Sequence, residues 1–285
     1  MNTLLAGLVD DAGLFPPTSL PPADAVARHR RDRAACHPMH ALRFLVPVGR
    51  LEEIRAELRP GDRLRLGLIA DAAGPDDPGG RLGGALATVA ADTRLETALV
   101  EAPLAVFGAD PASAVPAVLA ATADSRVPLF VEPASPSDID ALLETVTALG
   151  APGLGAKLRC GGVRAELFPS PAEVAHFVTA CARAGVPFKA TAGLHHAVRH
   201  LDPATGFTHH GYLNLLLAAA LAATGPVDPA AVLRALETTS ADSLTEALGA
   251  LPRPARTAAR ALLISYGSCS TSTPVSEART LLDAP

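Results

Sequence analysis

Lysine is almost absent from this sequence. Of its 24 basic residues only Lys157 and Lys189 are lysines, and the other 22 are arginines. The chain also lacks a basic run, and its formal net charge is −5. A nucleic-acid-binding surface needs concentrated positive charge to offset the phosphates. We therefore expect no nucleic-acid partner.

Cysteines and long apolar segments are also few. The four cysteines show no CxxC spacing, so neither a zinc site nor a disulfide framework is predicted. Cys36 and Cys181 lie in helix-like segments and are expected to be small buried side chains.

The longest apolar run, LNLLLAAALAA at 213–223, is too short to span a bilayer. The first residues, MNTLLAGLVDDAGLFPP, have no basic start, so we expect a cytoplasmic protein without a membrane partner.

Strand-like and helix-like segments alternate along the 285 residues. The strand-like segments cover 4–11, 41–48, 63–71, 95–102, 127–133, 153–162, 187–194 and 261–270. The helix-like segments cover 21–35, 49–58, 79–92, 110–123, 135–150, 170–185 and 274–284, and several begin with Ser-Pro or Asp-Pro. Eight such units predict an α/β fold, a single (β/α)8 barrel domain over 1–285. An open doubly wound sheet is the competing fold, but no GxGxxG follows the first strand.

The spacing between the seventh and eighth strands is longer than elsewhere. Helix-like segments at 212–224 and 228–248 fill it. We predict a helical insertion that decorates the barrel mouth or makes a subunit contact.

Catalytic residues of such barrels lie at the carboxyl ends of the strands. The ionisable residues at these positions are Asp10, Asp11, Asp71, Glu101, Glu132, Lys157, Arg159, Lys189, His195 and His196. Side chains alternate between the faces of a strand, so Lys157 and Arg159 are expected to point inward together, as are Lys189 and Thr191. Asp10 and Asp11 are adjacent in the first strand, so only one of them can point inward.

Lysine differs chemically from the arginine that the chain otherwise prefers. Only a lysine amine can lose its proton near neutral pH or form an imine. We therefore predict that at least one lysine is a nucleophile or a base. Lys157 is assigned the nucleophile because Arg159 and Lys189 should lower its pKa, and Lys189 is assigned a helper role. The alternative is that the lysines only neutralise core carboxylates such as Glu101 and Glu132.

This layout resembles that of class I deoxyribose-phosphate aldolases. Lys157 and Lys189 end the sixth and seventh strands, and Glu101 stands on the fourth. The resemblance implies that Lys157 forms the Schiff base and that Lys189 lowers its pKa. The segment 189–193, KATAG, also resembles the family's Lys-Thr-Ser-Thr-Gly, although the family carries that motif on the sixth strand and this chain has it on the seventh.

A second resemblance rests on three segments, K-x-R-x-GG at 157–162, FKATAGLHH at 188–196 and GSCS at 267–270. They are similar to segments of a functionally unassigned family of bacterial barrel proteins. That resemblance implies one site built from the three segments and names no reaction.

Five of the nine histidines lie between residues 195 and 210. His195 is a candidate proton shuttle, and His196 a candidate substrate ligand. Alternatively, histidines and Glu101 or Glu132 bind a divalent metal, or the histidines are solvated loop residues. No other cofactor is expected.

The loop after the eighth strand reads GSCSTS. Ser268, Cys269 and Ser270 are candidate substrate ligands, because backbone N–H groups and a helix N-terminus hold phosphate there in many barrels. Cys269 is also a candidate nucleophile. Arg159 and Glu132 are candidate substrate ligands in the mouth, and Arg159 can pair with a carboxylate as well as with a phosphate.

The sequence thus predicts a lyase or aldolase-type enzyme for a small carbonyl compound bearing a carboxylate or a phosphate. Its predicted catalytic residues are Lys157, Lys189, Glu101, Asp10 and His195; Asp10 or Asp11 acts as a general acid–base, orients a lysine or only shapes its loop. The alternatives are a metal-dependent lyase or isomerase, and a non-catalytic binding barrel whose lysines are fully paired in salt bridges. Whether the protein forms a homo-oligomer is left open.

Overall fold

Eight parallel strands close into a barrel in the computed structural model, which describes residues 2–71 and 77–282. In chain order they are β1 (Val9–Asp11), β2 (His40–Pro47), β3 (Leu64–Ile69), β4 (Leu95–Pro103), β5 (Leu129–Glu132), β6 (Leu154–Arg159), β7 (Phe188–Thr191) and, after a short ribbon of β8 (His200–Leu201) and β9 (Thr208–His209), β10 (Leu263–Ser268). Consecutive barrel strands are neighbours, and β10 lies between β7 and β1. The predicted (β/α)8 barrel is confirmed.

Helices surround the barrel. Their bounds are α1 (Asn2–Leu5), α2 (Pro22–Ala35), α3 (Leu51–Ala56), α4 (Pro78–Ala91), α5 (Pro111–Ala121), α6 (Ile139–Leu149), α7 (Pro171–Ala184), α8 (Tyr212–Ala222), α9 (Pro229–Glu237), α10 (Ala241–Ala250), α11 (Arg253–Leu262) and α12 (Ser272–Leu282). The last two residues of the segment predicted at 274–284 lie outside the described residues. Within those residues, no helix is both long and apolar enough to cross a membrane.

Local sequence signals set the ends of several helices. At the start of α7, Ser170 accepts a hydrogen bond from the N–H of Glu173, and the Glu173 carboxylate accepts one from the N–H of Ser170. The helices α6 and α7 end at Gly150 and Gly185, which adopt the positive φ that glycine tolerates best. The predicted glycine ends of both helices and the Ser-Pro start of α7 are confirmed, whereas Ser135 caps a short 3-10 turn over Pro136–Asp138 and α6 begins only at Ile139.

The predicted helical insertion between β7 and β10 is present, but its packing and helix bounds differ from the prediction. The helix α8 is buried along nearly its whole length and packs against α7, α9 and α11, so it belongs to the helix layer of the barrel. The predicted single helix over 228–248 is interrupted after Glu237, and Ser240 caps the separate helix α10. The ribbon of β8 and β9 carries His200 and His209 as paired residues.

The barrel interior is apolar on one side. Ala12, Leu45 and Ile69 form a small cluster there. Leu45 reaches the barrel centre because Gly67 and Gly267 have no side chain, and a Cβ at either would lie within 3 Å of Leu45. The charged residues of the interior come from β4 to β7 and from β1 and β2.

Two cysteines that were expected to be buried have different positions. Cys181 is buried, as predicted. Cys36 is exposed, so that prediction was wrong: α2 ends at Ala35, and Cys36 follows in a left-handed conformation at the surface.

Candidate active site

Seven charged side chains form one continuous chain of ion pairs through the barrel. In order of contact they are Arg43, Asp10, Lys189, Glu101, Lys157, Glu132 and Arg159. Cations and anions alternate along the chain. It begins on β2, passes through β1, β7, β4 and β6, and ends between β5 and β6. The inward orientation predicted for both lysines is confirmed.

Lys189 is the most enclosed cation of this chain of ion pairs. Its ammonium group has no solvent exposure and pairs with Asp10 Oδ2 and, at 2.9 Å, with Glu101 Oε1. The ring of Phe130 lies 5.9 Å from Lys189 Nζ, at the outer limit for a cation–π contact. Asp10 Oδ2 also accepts a hydrogen bond from Ser265 Oγ at 2.7 Å. Asp10 is therefore the inward aspartate.

Lys157 contacts two carboxylates. Its Nζ lies 2.7 Å from Glu101 Oε2 and 3.0 Å from Glu132 Oε2. Burial alone would lower the pKa of Lys157, but the two glutamates raise it above its ordinary value. The prediction of a lowered pKa was wrong, because the attraction of Glu101 and Glu132 outweighs burial and the repulsion from Arg159. Lys157 is protonated at neutral pH in the unliganded site.

The same ion pairs lower the pKa values of the two glutamates. Burial alone would raise the pKa of Glu101, but the ammonium groups of Lys157 and Lys189 lower it to about 2. The pKa of Glu132 is also lowered, since Lys157 and Arg159 outweigh its burial. Glu101 is therefore an ionised bridge between the two lysines.

Arg159 and Thr191 lie at the level of the mouth. They are paired residues on the neighbouring strands β6 and β7, two residues beyond Lys157 and Lys189. Arg159 Nε donates to Glu132 Oε1 at 2.8 Å. The side chain of Arg159 is 39% exposed, whereas that of Lys157 is only 2% exposed. Of the cations in the chain of ion pairs, Arg159 is the most accessible.

Asp11 points away from the barrel interior, toward α2. Its carboxylate pairs with Arg28 and, at 3.1 Å, with His29 Nδ1. The pKa of Asp11 is lowered because these two partners outweigh the opposing effect of burial. Arg28 also donates to the carbonyl of Cys269 at 2.6 Å, so it connects the loops after β1 and β10.

Three of these charged partners, Arg28, His29 and Arg43, are not among the site residues predicted from the sequence. Arg28 and His29 belong to the RHRR run of α2, which resembles an exposed helix face. Arg43 is an arginine within an apolar strand, and strand alternation places it on the same face as Leu45. The alternation along β2 was the signal that could have identified it.

His195 and Cys269 lie together although they are far apart in the sequence. Cys269 Sγ is 3.5 Å from His195 Nδ1 and 3.8 Å from Nε2. Burial and the neighbouring His196 lower the pKa of His195, so its imidazole is neutral at neutral pH. A neutral imidazole beside a thiol can accept its proton.

Three other predicted ligands have partners outside the mouth. Ser268 faces the helix layer and donates to the carbonyl of Ser270 at 2.6 Å. The Ser270 hydroxyl accepts a hydrogen bond from the N–H of Thr273 in the first turn of α12. His196 Nδ1 lies 2.6 Å from Glu277 Oε1 of the same helix. These three side chains therefore stabilise the loops around the site.

The described residues contain no group of three or more His, Cys, Asp or Glu side chains placed to hold a metal ion. Glu101 and Glu132 are both engaged with lysines. The rings of His200 and His209 stack on each other 5.3 Å apart on the ribbon of β8 and β9. The ligand set that the metal alternative requires is therefore not assembled in these parts of the chain.

No protein family and no curated protein sequence matches the chain. Among solved structures, it is similar to the carboxyl transferase domain of Rhizobium etli pyruvate carboxylase. A variant of that domain with pyruvate shows 15% identity and a TM-score of 0.42. The domain with pyruvate and biocytin shows 14% identity and a TM-score of 0.40. Each alignment covers 90% of this chain and 49% of the other, so this chain spans about half the length of these neighbours.

Proposed function

We propose that the protein is an aldolase-type lyase that forms an imine between Lys157 and a small carbonyl compound. The observation that supports this most directly is the position of Glu101 between two buried lysines, Lys157 on β6 and Lys189 on the adjacent strand β7. This is the arrangement of β4, β6 and β7 residues on which the resemblance to class I aldolases rests. Lys157 is the nucleophile because it lies next to Glu132 and Arg159, which line the mouth.

The resting ammonium of Lys157 must lose a proton before it can react. Glu101 Oε2 at 2.7 Å and Glu132 Oε2 at 3.0 Å are the acceptors within reach. The nitrogen lone pair of the neutral amine then attacks the substrate carbonyl carbon. The carbonyl oxygen takes up the proton that the carboxylate held, and the attacking nitrogen releases one of its own protons to the medium, which gives a neutral carbinolamine. Loss of water, with one further proton taken from the medium, gives the iminium ion.

The same carboxylates stabilise the later intermediates. An iminium carries the single positive charge that the ammonium carried, so the contacts that raise the pKa of Lys157 also favour the iminium. When the substrate carbon–carbon bond breaks, its electron pair moves toward the iminium nitrogen and forms an enamine. The departing fragment becomes a carbonyl compound, and its hydroxyl proton passes to a carboxylate of the site. Lys189 holds Glu101 in position throughout.

Borohydride trapping tests this proposal. Protein is incubated with a panel of short aldehydes and ketones, reduced with sodium borohydride and mapped by peptide mass. We expect an adduct on the peptide that contains Lys157, and its loss in Lys157→Arg, which keeps the charge but cannot form the imine. An adduct on Lys189 would reverse the roles of the lysines. Full activity in Lys157→Arg would eliminate the imine mechanism.

The complete pairing of both lysines favours a second candidate, a non-catalytic barrel that binds a small molecule. In that case the lysines neutralise Glu101, Glu132 and Asp10 and have no chemical role. This candidate predicts no reducible adduct with any carbonyl compound. A metal-dependent lyase is distinguished by metal analysis of protein purified without chelator or nickel, where one tightly held divalent ion per chain would support it.

A further inference from the structure

The interior chain of ion pairs does not balance in charge. It contains four cations and three carboxylates. The cations are Arg43, Lys189, Lys157 and Arg159. With all groups ionised, one positive charge is left over. Such an excess in a partly buried site favours an anionic ligand, because a bound anion of one charge would neutralise it.

Among the four cations, Arg159 is the one that a ligand can reach most readily from solvent. Its side chain is 39% exposed at the mouth, against 15% for Arg43 at the other end of the chain of ion pairs. The Nε of Arg159 is bound to Glu132. Within residues 2–71 and 77–282, the two terminal nitrogens of Arg159 donate to no protein acceptor. They are therefore available to a ligand.

A second donor lies beside them. Thr191 is the paired residue of Arg159 on β7, and neighbouring strands are roughly 4.8 Å apart. The Thr191 hydroxyl makes no hydrogen bond with any residue that the structure describes. By strand alternation both side chains point to the interior, above Lys157 and Lys189.

We infer that Arg159 and Thr191 form a subsite for a single carboxylate group of the substrate. The inference builds on the proposed function, since it names which anionic group the carbonyl compound carries. The two free nitrogens of a guanidinium match the two oxygens of a carboxylate in a planar, bidentate contact. The Thr191 hydroxyl supplies a further donor to the same group.

Two observations favour a carboxylate over a phosphate. A phosphate monoester carries about −1.5 to −2 charges at neutral pH, which exceeds the single positive charge left over and would repel the nearby Glu132 carboxylate. Phosphate sites in barrels use the loop after the last strand and a helix N-terminus. Here the hydroxyl of Ser270 already accepts the N–H of Thr273 at the start of α12.

The subsite is also close to the proposed nucleophile. Lys157 and Arg159 are two residues apart on one face of β6, a separation of roughly 6.6 Å along the strand. A short oxo acid whose carboxylate binds Arg159 can therefore present its carbonyl carbon to the amine of Lys157. Longer chains would extend into the mouth.

Binding of unreactive anions tests the subsite without any chemistry at Lys157. Butanoate and inorganic phosphate are titrated into the full-length protein, with saturation-transfer NMR for butanoate and phosphorus-31 line broadening for phosphate. We expect butanoate to bind at least tenfold more tightly than phosphate. Arg159→Gln should weaken butanoate binding at least tenfold, and Thr191→Val should weaken it less. Arg65→Gln is the matched control, because Arg65 also donates from Nε to a glutamate but is paired with exposed Glu96.

The outcomes separate this inference from the proposed function. Tighter binding of phosphate than of butanoate, or unchanged butanoate binding in Arg159→Gln, would overturn the carboxylate subsite. Failure of borohydride trapping together with butanoate binding that depends on Arg159 would keep the subsite and remove the imine. Borohydride trapping at Lys157 without butanoate binding that depends on Arg159 would keep the imine and remove the subsite.

Discussion

Lys157 and Lys189 are paired residues on neighbouring parallel strands, and their ammonium groups bind opposite oxygens of the Glu101 carboxylate. One carboxylate thus separates two cations that would otherwise face each other in the barrel. Both buried lysines therefore depend on the same carboxylate as a charged partner.

Removal of the deepest cation should destabilise the fold strongly. Lys189→Met leaves Asp10 and Glu101 buried with one charged partner fewer each. We expect the free energy of unfolding to fall by about 3–5 kcal/mol in urea titrations. The control is Arg65→Met, which breaks an exposed pair with Glu96 and should cost at most about 1 kcal/mol. Equal losses in the two variants would show that the buried pairs of Lys189 contribute no more than an exposed one.

Low pH should reduce the free energy of unfolding through protonation of Glu101. Its pKa is about 2 in the folded protein, below the ordinary value of 4.5, so the unfolded chain takes up the proton first as the pH falls. Its contribution is present above pH 4.5 and is lost between pH 4.5 and 2, and a shift of this size corresponds to about 3 kcal/mol. Urea titrations at several pH values should show a shallower decline in Glu101→Gln than in the wild type. Parallel declines would disprove this contribution.

The thiol of Cys269 should react with iodoacetamide with help from His195. The imidazole lies within 3.8 Å of the sulfur and can accept its proton. Peptide mapping over pH 5–9 should show labelling of Cys269 that slows by about tenfold or more in His195→Gln. Exposed Cys36 should label equally in both proteins, and buried Cys181 should resist labelling because burial raises its pKa. An unchanged rate for Cys269 in the variant would exclude a role for the histidine.

Gly193 should tolerate no side chain. Its φ is +66°, and a Cβ would lie 2.7 Å from the carbonyl oxygen of Cys160. Gly193→Ala should therefore lower the free energy of unfolding by about 1–3 kcal/mol in urea titrations. Gly61→Ala is the control: nothing lies within 4 Å of its Cβ position, so its stability should be unchanged or raised by up to about 1 kcal/mol. A neutral Gly193→Ala would show that the loops after β6 and β7 can move apart.

The sequence alone was sufficient for the barrel and for the orientation of its key residues. Strand and helix periods are local properties, so eight alternating units could be counted without knowledge of any contact. The period of two along β6 and β7 was enough to orient Lys157 and Lys189 inward. The glycines at the ends of α6 and α7 were identified in the same way, because a helix end depends on its own few residues.

The protonation of the site was decided only by the tertiary structure. Electrostatic energy depends on the distance between charges, and Lys189 meets Asp10 across 179 positions of sequence. The sequence indicated that Lys157 has cations nearby, but only the folded chain places Glu101 and Glu132 within 3.0 Å of its amine, and these carboxylates raise its pKa instead of lowering it. The contact of Cys269 with His195 likewise exists because closure of the barrel brings β10 beside β7.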